Sequence, residues 1–406
     1  MTLLTDSSAG LPRGIARLAL AVARRTGRLP TPLTSMLGKF RWGEVRFSST
    51  CMKRRRKRIP KEISKRLPAF KKTGDLASWL ELDFRELDWL ANWIHSDHDS
   101  ASSSKHYRST WVRKRSGGWR LIESPKALLK SVQRQILDGI LNYVLPHPLA
   151  FGFVPGKNIV DFAKPHMNRD VCVKFDLADF FHSVTVGRVF GWFRSAGFDR
   201  DICRYLTLLT TVQTNCDAAY LRHPLNSVVP YDKTYRRLAI RHLPQGAPTS
   251  PALANLCAFR LDVRLAALAR KIGGVHYSRY ADDLLFSGSS KLGRGTSRFS
   301  AIVGSIVLEE GFELNYRKTR VMCSHQRQKA GGIVLNAGLN FDRRDYDRLK
   351  AILHNCVRFG LASQNKDSLE HFREHLLGKI QWVEQLNPER GRKLRETFNR
   401  IPDRAD

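Results

Sequence analysis

The chain has 406 residues, 42% hydrophobic and 10% aromatic, enough to bury a core divided between two or three subdomains. Its 69 Lys and Arg against 37 Asp and Glu give a net charge of +32, which calls for a polyanionic partner, either nucleic acid or an anionic membrane surface. No apolar run reaches the ~18 residues of a membrane-spanning helix. The seven scattered cysteines contain no Cys-x-x-Cys pair, so neither a disulfide scaffold nor a cysteine zinc knuckle is expected and a reduced, cytoplasmic setting fits.

Residues 1–70 hold 17 basic and 3 acidic side chains, so a sixth of the chain carries nearly half of the net charge. Arg13, Arg17, Arg24 and Arg28 share one helical face, with Ile15, Leu18, Ala19 and Val22 on the other. This basic amphipathic segment has three readings, an RNA-binding arm, a membrane-surface helix or, over residues 1–46, a cleaved targeting segment, beside the plainer one of a disordered tail. The run from Met52 to Arg58 reads as a polybasic stretch that tracks phosphates.

Beyond Lys71 the composition becomes globular. Asp83 and Glu86 form a capping box ahead of Leu87, Leu90, Ala91 and Ile94, which predicts an amphipathic helix. Ser96 to Lys105 is a Ser/Asp-rich linker. Two β-type runs, Tyr107 to Val112 and Trp119 to Ile122, flank Gly117-Gly118 and predict a hairpin edged by Lys114, Arg115 and Arg120. Leu129, Val132, Ile136, Ile140 and Val144 continue at helical spacing and are core.

The informative stretch lies between residues 171 and 336. Val171, Val173 and Phe175 alternate with Cys172, Lys174 and Asp176, a period-2 strand that delivers Asp176 at its end. Tyr277 to Tyr280 reads as a second strand, followed by Ala281-Asp282-Asp283 and Leu284-Leu285-Phe286, so two adjacent acids sit at a hairpin tip. Like charges there repel unless a counter-ion joins them, and carboxylate oxygens suit Mg²⁺. Three carboxylates converging on two metals ~3.5–4 Å apart would clamp an in-line phosphoryl displacement. Ser250 caps a helix with Pro251 at its first position, and Leu253, Cys257, Leu261, Leu265 and Leu268 make one buried stripe that ends near Gly273-Gly274.

Three segments then match a known family in order. Phe175-Asp176-Leu177-Ala178-Asp179-Phe180-Phe181, Leu243-Pro244-Gln245-Gly246-Ala247-Pro248-Thr249-Ser250-Pro251 and Tyr280-Ala281-Asp282-Asp283 resemble the first metal motif, the Pro-Gln-Gly motif and the Tyr-x-Asp-Asp motif of reverse transcriptases. The resemblance runs from about Leu76 to the C-terminus, and its closest form is the retron-type bacterial reverse transcriptase. It implies an α+β right-hand polymerase: a basic extension over 1–70, a helical segment and linker over 71–106, fingers and palm over 107–340, and a helical thumb over 341–406. It also implies Asp176, Asp282 and Asp283 as catalytic ligands of two Mg²⁺ ions. Lys114 and Arg120 (or Arg115) would grip the triphosphate of a deoxynucleotide, and Gln245 and Gly246 would line the nucleotide pocket. Phe181 would exclude the ribose 2′-OH, and Lys318 would serve as a general acid. The partners implied are a structured non-coding RNA as template and primer, dNTPs, a DNA product and an effector protein in phage defence, with no membrane.

Two retron signatures depart from the family pattern. Phe162-Ala163-Lys164-Pro165-His166 has Phe where the family has Asn, and Ala330-Gly331-Gly332 replaces Val-Thr-Gly. Family resemblance assigns both segments, here His166, Gly331 and Gly332, to RNA recognition, so a different RNA or another bacterial subfamily (defence-associated or group II intron-like) is the alternative. A non-catalytic RNA-binding scaffold is the rival class, opposed by the presence of all three acids. The His371-Phe372-Arg373-Glu374-His375 match to a zinc-peptidase pattern reads as a surface helix, and Gly288, Gly293 and Gly295 as a loose loop.

Overall fold

A computed structural model describes residues 65–91, 106–114, 117, 119–214 and 237–402. The basic segments before residue 65, the linker over 96–105, Ile94, Arg115 and Gly118 lie outside the described residues. The described residues begin with helices α1 (Thr73–Trp79) and α2 (Phe84–Ala91). The capping box closes α2: the Asp83 N–H donates to Glu86 at 3.0 Å and the Glu86 N–H donates to Asp83 at 2.7 Å. Leu87, Leu90 and Ala91 are buried. Strands β1 (Tyr107–Arg113) and β2 (Trp119–Pro125) pair antiparallel with Val112 opposite Arg120. Helix α3 (Ala127–Gly139) follows, burying Leu129, Val132 and Ile136.

The centre of the molecule is a four-stranded antiparallel sheet in the order β4-β5-β3-β6, where β3 is Val171–Asp176, β4 His276–Tyr280, β5 Asp283–Gly288 and β6 Arg320–Cys323. The alternation of β3 predicts one solvated face, yet only Lys174 is half exposed and Cys172 is fully buried. The reason is its interior place between β5 and β6. One face meets the main core through Phe175, Phe286 and Phe299; the other meets a smaller cluster of Phe162, Leu285, Ile333 and Leu335. A central strand covered on both sides loses the period-2 contrast.

Helices α5 (Val186–Ala196) and α6 (Arg200–Thr210) follow the short helix α4 (Ile159–Ala163) and pack against the core. The single helix expected after Ser250 is two helices, α7 (Ser250–Cys257) and α8 (Phe259–Ile272), separated at Ala258. Leu253, Leu261 and Leu265 are buried, as the stripe requires. Ser250 is not the cap. It is the first helical residue, Thr249 occupies the cap position without a side-chain bond, and the buried Ser250 hydroxyl has no partner among the described residues. The segment after Gly288 is also more ordered than the glycines suggest, with helices α9 (Ser290–Arg294) and α10 (Thr296–Glu309). After a short hairpin, β7 (Lys329–Ala330) with β8 (Ile333–Val334), three α-helices follow among the described residues: α11 (Arg343–Phe359), α12 (Phe372–Leu386) and α13 (Pro388–Phe398). They enclose a separate core of Leu349, Leu353, Leu376, Ile380, Val383, Leu394 and Phe398. Among the described residues no helix is long and apolar enough to cross a membrane.

Candidate active site

The central sheet brings distant acids together. Asp176, the last residue of β3, lies directly opposite Asp283, the first residue of β5. The Leu177 N–H donates to the Asp282 carbonyl at 2.8 Å, and the Asn315 N–H donates to the Asp176 carbonyl at 2.7 Å. The β4–β5 turn is tight, and Ala281 adopts φ +54°. A left-handed residue with a Cβ costs of order 1 kcal/mol and persists only where its surroundings hold it.

Arg279 supplies that hold. It is wholly buried, and its Nη1 donates to the Ala281 carbonyl at 3.0 Å and to Asn255 Oδ1 at 2.8 Å. Its Nε and Nη2 donate to the two oxygens of Asp262 on α8 at 2.8 and 2.7 Å, and the Tyr277 hydroxyl donates to the same carboxylate at 2.8 Å. Asn255 on α7 also donates to the Gly152 carbonyl at 2.8 Å. A Cβ at Gly152 would stand 2.5 Å from the Ala281 nitrogen, so only glycine permits this segment to lie against the turn.

Two lysines face the acids. Lys174 Nζ is 2.7 Å from Asp283, and Lys318 Nζ, on the 3₁₀ turn Tyr316–Lys318, is 3.0 Å from Asp176. Burial first, then the charges of Asp283 and Asp176, raise the Asp282 carboxyl above its ordinary range; burial also raises Asp283, against the pull of Lys174. Hard oxygen donors whose ionised forms are disfavoured by burial and by one another suit a divalent cation. Among the described residues the three carboxylates do not gather within 4.8 Å of one another as a set, and Asp176 and Asp283 each pair with a lysine. An open cleft of about 430 Å³ borders Asp176 and is lined by Lys174, Lys318, Arg320, Lys329, Gly331 and Gly332.

The remaining expected site residues fall on three elements around these acids. Lys114 follows β1 and is half buried; burial lowers its pKa, against attraction from Asp179. Arg120 is exposed on β2. Phe181 is half buried, its ring 6.1 Å from Phe153 and 5.6 Å from Phe180. The Gln245 carbonyl accepts from the Glu123 N–H at 2.8 Å. Gly246 has φ +131°, and a Cβ there would stand 3.1–3.2 Å from Ile122, Glu123 and Ser124. Its lack of a side chain therefore lets the Pro-Gln-Gly segment lie on β2.

His166 does not reach a surface. It is fully buried, bonded to Ser287 Oγ and Ser278 Oγ at 2.7 Å each, and burial pushes its pKa down to about 3. Direct RNA contact by this ring is thereby corrected to a packing role between β4 and β5. Gly331 and Gly332 are exposed, both with positive φ. His371 and His375 are exposed on or beside α12 and belong to no metal-competent group among the described residues.

Sequence reasoning missed Arg279, Asp262, Asn255, Gly152 and Lys174. The one available signal was a charged residue on the same strand face as Tyr277, two positions from the acidic turn.

Residues 112–351 match the family model described as reverse transcriptase (RNA-dependent DNA polymerase). The chain is 39% identical to the retron Mx65 reverse transcriptase of Myxococcus xanthus over 74% of this chain and 66% of that protein. It is 36% identical to the retron Mx162 reverse transcriptase of the same organism (78% and 64%) and 30% identical to the retron Ec86 reverse transcriptase of Escherichia coli (68% and 74%). The match thus spans slightly less than two thirds of the two Myxococcus relatives' length. Among solved structures, telomerase from Candida albicans in complex with a TWJ fragment of telomeric RNA matches with a TM-score of 0.38 and 12% identity, covering 73% of this chain and 56% of that one.

Proposed function

Since this chain belongs to the reverse transcriptase family, in its retron-type branch, we propose that it is an RNA-directed DNA polymerase that copies a structured non-coding RNA into DNA, in a retron-like anti-phage defence system. The observation that carries the reading is the pairing of Asp176 with Asp283 across β3 and β5, with Asp282 beside them on a turn held by Arg279. In this reading 107–340 is fingers and palm, 341–406 the helical thumb, and 1–70 a basic extension that adds phosphate contacts.

Asp176, Asp282 and Asp283 would hold the Mg²⁺ ions, which when bound supply the positive charge that activates a 3′-hydroxyl and offsets the charge developing on pyrophosphate. The protein's own side chains do the rest. Lys114 and Arg120 grip the triphosphate. Gln245 and Gly246 form the floor beside the base, with β2 lying directly against them. Lys318, about half exposed and in contact with Asp176, would give a proton to the leaving pyrophosphate. The high positive charge makes RNA binding steeply salt dependent.

The test is extension of a primed RNA template by the purified chain with Mg²⁺ and labelled dNTPs. Full-length DNA is expected, and its loss on chelation with EDTA should reverse when Mg²⁺ is restored. No synthesis on any primed RNA with excess Mg²⁺ would overturn the reading in favour of a scaffold. Phe181, packed between Phe153 and Phe180, would lie beneath the incoming sugar. The Phe181→Val variant should therefore incorporate rNTPs roughly 10–100-fold more readily relative to dNTPs, a shift of about 1–3 kcal/mol as for a changed contact of this size. Single-nucleotide incorporation kinetics measures this ratio, and an unchanged one removes the gate assignment.

A further inference from the structure

A second cluster, sharing no residue with the three aspartates, joins β2 to the segments that carry Phe181 and Gln245. Glu123 of β2, His182 after β3 and His242 before the Pro-Gln-Gly segment are all buried, and one ligand atom from each lies within 4.8 Å of the others. His242 Nε2 is 3.1 Å from Glu123 Oε2, while His242 Nδ1 is 2.7 Å from the Ile240 carbonyl. That second contact requires the proton on Nδ1. The neutral ring then aims the Nε2 lone pair at a carboxylate oxygen, which is repulsive unless a cation, either a proton or a metal ion, sits there.

His182 decides between the two. Its side chain is more than nine-tenths buried, its ring stands edge-on to His242 at 4.9 Å, and neither of its nitrogens has a hydrogen-bond partner among the described residues. Burying two unmet ring nitrogens costs a few kcal/mol, and a proton shared by Glu123 and His242 satisfies neither of them. A metal ion bound by His182 satisfies one directly.

We propose that Glu123, His182 and His242 form a structural zinc site that staples β2 to the two segments carrying Phe181 and Gln245. Two imidazoles and one carboxylate are a known type of Zn²⁺ donor set, whereas Mg²⁺ takes oxygen donors. Bonds of 2.0–2.2 Å to a tetrahedral ion place ligand atoms about 3.3 Å apart. The His242–Glu123 pair already stands at that separation, and His182 must close by roughly an ångström and a half at most. The surroundings also match those of metal ligands: Ile240 orients His242, and the Thr214 hydroxyl donates to Glu123 Oε1 at 2.6 Å. A water can take the fourth position. The consequence reaches the pocket, because Phe181 precedes His182 and the Gln245 carbonyl is bonded to the Glu123 backbone.

The test uses the full, tag-free chain, stripped by a chelator and titrated with ZnCl₂, with metal content read by mass spectrometry of the dialysed protein. One retained equivalent of Zn²⁺ and a higher melting temperature are expected. The Asp176→Asn/Asp282→Asn/Asp283→Asn variant should keep that equivalent, and His182→Gln and His242→Gln should lose it. Co²⁺ added to the unmodified chain guards against a misfolded variant: nitrogen–oxygen tetrahedral bands are expected, and a sulfur charge-transfer band would assign the metal to cysteines and overturn the proposal. It is equally overturned if the unmodified chain retains no Zn²⁺, or if His182→Gln keeps the full equivalent; the cluster is then a protonated Glu–His pair. Each readout is independent of polymerase activity.

Discussion

The Asp282→Asn chain should synthesise DNA at least ~10³-fold more slowly than the parent, because the charge stabilisation that a bound divalent ion gives a phosphoryl transition state amounts to several kcal/mol. The same substitution should leave the melting temperature unchanged or raised when Mg²⁺ is absent. Burial and the charges of Asp283 and Asp176 raise the folded pKa of Asp282. A raised carboxyl pKa means that the folded state disfavours the charged form, so ionisation above that pKa removes stability and a neutral isostere avoids the loss. Primer extension and thermal melting in EDTA together check both halves. Undiminished synthesis would remove the two-metal mechanism. A strongly lowered melting temperature would instead make Asp282 a structural residue.

Arg279→Met should destabilise the fold by about 3–5 kcal/mol, since it leaves the buried Asp262 carboxylate without its cation. Arg279→Met/Asp262→Asn should recover a large part of this, because the charge is gone and Asn still offers an oxygen to the Tyr277 hydroxyl. Activity should not recover with it. The bond from Arg279 to the Ala281 carbonyl holds the left-handed turn that aims Asp282 and Asp283, and the double variant cannot make it. Urea denaturation and primer extension separate the two effects. Recovery of both stability and rate in the double variant would make the arginine a core ion pair with no part in positioning the acids.

Much of the candidate site was legible because its residues come in short, local patterns. The two acids after Tyr280 sit at a hairpin tip that two β-type runs announce, and Asp176 ends a strand whose alternation is visible. The α2 capping box needs only residues three apart. What failed was what depends on neighbours distant in the chain. The α7–α8 break at Ala258 leaves the apolar stripe intact, so periodicity passes over it. Family resemblance assigned His166 to RNA recognition, and nothing near it in the chain reveals Ser278 and Ser287, more than a hundred positions away, closing over both of its nitrogens.

By itself, then, the amino-acid order determined the strand that ends in an acid, the acidic hairpin, the basic surface and the family to which they belong. The first three follow from side-chain periodicity, turn chemistry and net charge, which are local or additive properties; the family follows from three short motifs matched in chain order. Tertiary structure alone decided that Asp176 faces Asp283, that Arg279 grips the turn through Asp262, and that Glu123, His182 and His242 meet in the interior. Such pairings join residues far apart in the chain, and only the order and register of the packed strands and helices select them. Their energies come from desolvation and contact, which do not exist until the chain has folded.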